Sequence, residues 1–151
     1  FSDGAFDCVV SMDVLAHRSV GDPAAALGEV RRVLAPGGHL VMNLPAYQWL
    51  YSDHDLAVHT DKRYTRGSAG DLLRKTGFEV ALLTYWNAFL FPAIALRRKL
   101  GGGAGASDKG VRYPGCVVGV FRAGLAVERA VIRRVGLPFG VSVFALARRV
   151  G

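Results

Sequence analysis

The sequence predicts an α/β protein with the strand and helix order of a doubly wound parallel sheet. Apolar runs of strand length alternate with stretches of helical spacing between Phe6 and Thr84, in the order strand, helix, strand, helix, strand. The first two runs are apolar throughout where a half-solvated strand would alternate, as expected of a sheet covered on both faces. Both helices carry capping and breaking residues at their ends.

Phe6 to Val10 is the first strand, and it stops at polar Ser11 and Asp13. Asp22-Pro23 opens the first helix, with Asp as N-cap and Pro at the first helical position, and Ala26, Leu27, Val30, Val33 and Leu34 follow at helical spacing. Pro36-Gly37-Gly38 ends it. His39 to Leu44 is the second strand, closed by Pro45, and AYQWLYSDHDLAVHTDKRY is too irregular for an element. Thr65 caps a helix through Lys75 that turns Ala69, Leu72 and Leu73 inward and stops at Gly77. Phe78 to Thr84 is the third strand.

The remainder reads as an apolar helix over 88–100 ending Arg97-Arg98-Lys99, then a flexible loop, GGGAGASDKG. A second helix over 117–135 places Val117, Val120, Val127, Val131 and Val135 on one face and Arg122, Arg129 and Arg133 on the other. Val141 to Ala147 is a last strand. The chain is thereby expected to divide into a core of 1–87, a helical insertion of 88–138 and a last core strand of 139–151.

The net charge of +7 is unevenly placed: eight Lys/Arg against ten Asp/Glu up to Leu96, eleven against two from Arg97 onward. The tail is therefore a basic surface open to phosphate, lipid headgroups or RNA. Nucleic acid is disfavoured, because Trp49, Tyr51, Trp86 and Phe89 are not interleaved with the arginines as a stacking platform requires. The longest apolar runs, Ala88 to Leu96 and Tyr113 to Phe121, fall short of the roughly 20 residues a bilayer needs, so no transmembrane segment is expected. Cys8 and Cys116 make neither a disulfide framework nor a metal site, which fits a reducing, cytoplasmic setting.

In open parallel sheets ligands bind beyond the carboxyl ends of the strands. The candidates are Ser11, Met12, Asp13 and His17 after the first strand, then Asn43 and the segment from Ala46 to Tyr64 after the second. Ser11 and Asp13 serve equally well as turn caps. A metal reading of Asp53, His54, Asp55, His59 and Asp61 is disfavoured, because the His-x4-His spacing matches no usual zinc signature and no cysteine is near.

FDCVVSMDVLAH, then VRRVLAPGGHLVMNLP, then YTRGSAGDLLRKTGFEV resembles the second half of a class I S-adenosylmethionine-dependent methyltransferase of the type 11/12 kind. RRVLAPGGHLVMNLP is the most specific piece, and the resemblance is good over residues 1 to 87. It implies a Rossmann-like methyltransferase sheet of which only the C-terminal half is present, with a helical insertion before a last antiparallel strand. The family's glycine-rich cofactor loop would then lie upstream of Phe1, so the chain is expected to be a piece of an enzyme that binds S-adenosyl-L-methionine feebly on its own. The resemblance implies that Ser11, Met12, Asp13 and His17 line the cofactor pocket; Ala16 stands where members often carry Glu. His54, Asp55 and His59 become the candidate bases, needed only where the nucleophile arrives protonated. Tyr47, Trp49, Arg63 and Tyr64 become candidate contacts to a small or lipid-like acceptor, although Tyr64 equally serves to staple the following helix. The rival reading is a non-catalytic methyltransferase-like module that meets a partner or an anionic membrane surface through its basic tail.

Overall fold

The computed structural model describes residues 1–99, 115–132 and 135–151. The expectations on GGGAGASDKG, on Arg133 and on the side chains of Val117 and Val120 lie outside what is described. Four strands, β1 (Phe6–Met12), β2 (Leu34–Pro45), β3 (Phe78–Trp86) and β4 (Ser142–Arg149), form one sheet in the order β1-β2-β4-β3. β1 and β2 are parallel, whereas β4 runs antiparallel to both its neighbours, so β3 points the same way as β2. The carboxyl ends of β1, β2 and β3 therefore share one edge of the sheet.

This topology corrects the expected fold. The sheet is not confined to a C-terminal half; the expected last antiparallel strand is present as β4, which lies between β2 and β3 and bonds to both. A Rossmann-like sheet thus runs through the whole chain, from Phe6 to Arg149.

Helices α1 (Pro23–Val33) and α3 (Arg66–Lys75) begin as their caps require. The Asp22 carboxylate accepts from Ala24 N–H at 2.8 Å, and Thr65 and Ser68 exchange bonds in a capping box. Leu27, Ala69 and Leu73 from these helices join Leu40, Met42, Leu44, Val143, Ala145 and Ala147 in one buried core. Those strand residues alternate, so they mark one face of the sheet. The opposite face corrects the expectation of cover on both sides: Cys8, Val10 and Met12 are exposed on β1, with Val10 at 62% and Met12 at 55%. β1 is an edge strand, and the described residues lay no helix on that side of it.

The Pro-Gly-Gly turn does more than separate helix from strand. Leu34 already pairs with Phe6, and the pairing then skips to Cys8 with His39, so residues 35–38 bulge out of the ladder. Gly37 sits there at φ +77°, and a Cβ on Gly38 would lie 2.8 Å from the Ala35 carbonyl oxygen.

The last helix, α5 (Gly115–Ile132), follows α4 (Phe91–Lys99) in the chain; its arginines Arg122 and Arg129 are exposed, but its valine face is not the inward one. Val127, Val131 and Val135 are exposed, whereas Glu128 and Ile132 are buried. The cause is a long-range contact: the Glu128 carboxylate accepts from the N–H groups of Ala88 (3.1 Å) and Phe89 (3.5 Å) just before α4, which turns that side of α5 inward. Gly124 meets the ring of Phe89 so closely that a Cβ would lie 2.7 Å from Cγ.

Candidate functional site

The stretch without an assigned element is tied down by a dense set of hydrogen bonds. Ser52 and Asp55 form a capping box that starts a short helix, α2 (Asp53–Ala57). The Asp55 carboxylate then takes a two-pronged ion pair from Arg63, Nε at 2.9 Å and Nη2 at 2.8 Å, with side chains only 2% and 5% exposed. Arg63 Nη1 also donates to the Ala46 carbonyl at 2.9 Å, and its backbone N–H donates to Gln48. Tyr51 hydroxyl donates to Thr60 carbonyl, and Tyr47 N–H and Tyr64 N–H close the base of the loop on Tyr64 and Pro45 carbonyls. The Tyr64 hydroxyl donates to Leu15 carbonyl at 3.1 Å, and burial first, then the charge of Asp61, push its phenol up to about 12.

Between this cap and the end of β1 lies a cleft of about 630 Å³, lined by Met12, Asp13, Val14, His17, Ser19, Val20, His54, Val58 and Thr60. Asp13 occupies the left-handed region at φ +60°. It is held by its own N–H donating to Asn43 carbonyl (2.9 Å) and by Asn43 Nδ2 donating to its Oδ1 (2.9 Å). Burial pushes its carboxyl above the ordinary range, against the Asn43 hydrogen bond and the Arg63 charge, which both lower it. His17 Nδ1 accepts from Ser19 N–H at 3.1 Å, which leaves the proton of the neutral ring on Nε2. The His59 ring stands edge-on to it at 5.8 Å.

Of the residues singled out from sequence, Met12, Asp13, His17 and His54 meet in this cleft, and His59 adjoins it through His17. Ser11 is buried, Asp55 and Arg63 are paired inside the cap, and Tyr64 is in the core. Tyr47 and Trp49 belong to a separate aromatic cluster. Tyr47, at φ +57°, stacks on Tyr85 at 5.0 Å; burial, then the hydrogen bond with Tyr85, pushes its phenol well above the usual range. Val58 and Thr60 lie in the predicted segment from Ala46 to Tyr64; Val14, Ser19 and Val20 were missed as cleft residues, and Tyr85, Phe91 and Phe139 as ring partners of Tyr47 and its neighbours, since their distance in the chain gives no sign of that contact. Among the described residues no three His, Cys, Asp or Glu side chains gather as a metal site.

Residues 1–42 match the family model described as a methyltransferase domain. An uncharacterized 37.1 kDa protein in transposon TN4556 of Streptomyces fradiae is 41% identical over 95 residues, covering 61% of this chain and 26% of that protein. An S-adenosylmethionine-dependent methyltransferase of Mesorhizobium loti superposes with a TM-score of 0.57 at 16% identity, covering 99% of this chain and 64% of that one. A Haemonchus contortus phosphoethanolamine N-methyltransferase 2, in complex with S-adenosyl-L-methionine, superposes at 0.56 with 16% identity, covering 100% of this chain and 35% of that one. The chain thus spans about a quarter of the curated relative and from a third to two thirds of these two structures. A likeness limited to a C-terminal half and good only to residue 87 is overturned, because the structural likeness covers 99% or more of the chain. From end to end, this chain has the fold of the S-adenosylmethionine-dependent methyltransferases.

Proposed function

We propose that this chain takes part in methyl transfer from S-adenosylmethionine to a small acceptor, and that the cleft beside Asp13 is where it meets the cofactor. The observation that carries this reading is the convergence of Met12, Asp13 and His17 on one cleft at the carboxyl end of a parallel strand. The residues fit the group. Met12, Val14, Val20 and Val58 offer apolar walls to a flat base, and the partly desolvated Asp13 carboxylate favours a cation beside it. S-adenosylmethionine supplies an electrophilic methyl group on a sulfonium, so the protein's task is to orient the acceptor and exclude water.

In this reading Asn43 fixes the Asp13 carboxylate, and His17, oriented by Ser19 and packed on His59, closes the cleft wall. His54 is the base where the acceptor arrives protonated, because it lines the cleft. Asp55, Arg63 and Tyr64 act as positioning residues that hold the cap over the strand end. Ser11 supports the strand end from beneath, and Tyr47 and Trp49 face the acceptor. The structural relative named for phosphoethanolamine supports a small acceptor. A cytoplasmic setting is supported by the exposed free thiol of Cys8.

The test is an NMR titration of the methionine-methyl-labelled chain with S-adenosylmethionine, followed by transfer of a radiolabelled methyl group to a panel of small acceptors. We expect the Met12 methyl signal to move saturably at millimolar cofactor, and to move far less in Asp13→Ala. A Met12 signal that stays fixed, or moves equally in the variant, sinks the reading.

A second reading, a module that meets an anionic membrane, is favoured by the exposure of Val127, Val131 and Val135 near exposed Arg122 and Arg129. Among the described residues no helix is long and apolar enough to cross a membrane, so the contact would be peripheral. Co-sedimentation with phosphatidylserine vesicles that Val131→Asp abolishes would support it, and absence of co-sedimentation would remove it.

A further inference from the structure

Four rings from three separate parts of the chain meet at the same sheet edge as the cleft. Tyr47 lies 5.8 Å from Trp49 and 5.6 Å from Phe91; Trp49 stands edge-on to Phe91 at 5.9 Å, and Phe91 lies 5.5 Å from Phe139. The cluster is anchored below by buried Tyr85 but is not itself buried, since Trp49 is 52% and Phe139 43% exposed. Rings drawn from distant segments, two of them about half exposed and two partly so, offer an aromatic wall to an occupant. Its place is informative, because Tyr47 follows β2 and Tyr85 lies in the last two residues of β3, whereas the cleft follows β1. At about 4.8 Å between strands, the three spacings from β1 to β3 put the rings within roughly 15 Å of the cleft.

Charge narrows the class of occupant. The Arg63 guanidinium, which an acidic acceptor would seek, is sealed into its pair with Asp55 and the Ala46 carbonyl. Arg66, which lies close enough to lower the Tyr47 phenol, is exposed at the start of α3, where water screens it. We propose that Tyr47, Trp49, Phe91 and Phe139 form the wall that receives the body of an uncharged aromatic or alicyclic methyl acceptor. This inference rests on the methyl-transfer reading and names its substrate class.

The test follows the indole N–H signals of the 15N-labelled chain during titration with 2-naphthol and, separately, with phosphoethanolamine; Trp49→Phe assigns the signal. No cofactor is present, so the outcome is independent of the Met12 titration: a ring-binding chain whose Met12 signal ignores S-adenosylmethionine would keep this surface and lose the methyl-transfer reading. We expect 2-naphthol to move the Trp49 signal saturably, about three- to tenfold more weakly in Phe91→Ala, as loss of one aromatic contact implies. Phosphoethanolamine should move it little. Phe139→Ser, at an exposed position, gives the same comparison should Phe91→Ala fail to fold. The proposal is overturned if 2-naphthol produces no saturable shift, if both variants bind it as tightly as the parent, or if phosphoethanolamine moves the signal more.

Discussion

Removing the Asp55 carboxylate should be among the most damaging single changes in this chain. Its Oδ1 faces Arg63 at 2.8 and 2.9 Å and its Oδ2 accepts from Ser52 N–H at 2.8 Å, with both side chains of the pair at 5% exposure or less. Asp55→Ala leaves a guanidinium out of water, still donating to the Ala46 carbonyl at 2.9 Å but without its counter-charge. Breaking one side of a buried pair costs about 3 to 5 kcal/mol, a large share of the roughly 5 to 15 kcal/mol that holds a domain together. With a urea slope of about 1 to 3 kcal/mol per molar, the midpoint should fall by roughly 1 to 5 M. The double variant Asp55→Leu/Arg63→Met removes both charges and should recover most of the loss, since an apolar pair of similar volume avoids the desolvation cost. The measurement is a urea curve followed by circular dichroism, with hydrogen exchange across residues 47–64. A midpoint drop under about 0.5 M in Asp55→Ala would refute the reasoning. So would loss of exchange protection confined to the cap while the midpoint stays put, because the cap would then not be part of the cooperative fold.

Three other outcomes follow from named contacts. The Asp13 carboxyl has its pKa raised above the ordinary 3.8 by burial, so its protonated form suits the folded state better; the stability this gives is complete below 3.8 and lost as pH rises through the raised value. Asp13→Asn should therefore be more stable than the parent at pH 7 and show a flatter stability profile in mild acid, measured by thermal melts across pH. Gly140→Ala would drive a Cβ into the backbone of Trp86, which cannot step aside as a side chain can, so the melting point should fall in keeping with a cost of about 1 to 3 kcal/mol. Glu128→Gln keeps the shape but weakens the charge-assisted bonds to Ala88 and Phe89 N–H, and should cost about 1 kcal/mol with faster amide exchange at those two residues.

What was legible in the sequence was legible for local reasons. Asp22-Pro23, Thr65 and Gly77 act within a few residues of themselves, and the helices they bound stand where those signals put them. Ser52-x-x-Asp55 is a signal of the same kind, hidden because tyrosines, aspartates and histidines broke the apolar period around it. The faces of α5 were not legible, because a periodic helix offers its valine stripe as the default inward side and only the distant N–H groups of Ala88 and Phe89 make Glu128 the better choice. The same holds for β1: an apolar run reads as buried on both faces, and Val10 and Met12 are exposed because the helices gather on the other side. Position after a strand was enough to predict that Met12, Asp13 and His17 lie together, and they line one cleft. Nothing in the spacing could tell that Arg63 would spend its charge on Asp55.

The backbone itself marks the edge where cleft and rings lie. Three of the four non-glycine residues at positive φ among those described, Asp13 (60°), Tyr47 (57°) and Asn87 (60°), come just beyond the ends of β1, β2 and β3, which point the same way. Asp and Asn tolerate the left-handed region; Tyr does not, and its conformation costs on the order of 1 to 3 kcal/mol unless the surroundings impose it. They do so at Tyr47, where its N–H is fixed on the Tyr64 carbonyl and its ring on Tyr85. A glycine would relieve the strain and keep the turn but would carry no ring. The left-handed turns are what aim the Asp13 carboxylate at the cleft and the Tyr47 ring at the aromatic cluster. Among the described residues, the opposite edge turns at positive φ only on glycines, Gly4, Gly37 and Gly77, where no such cost arises.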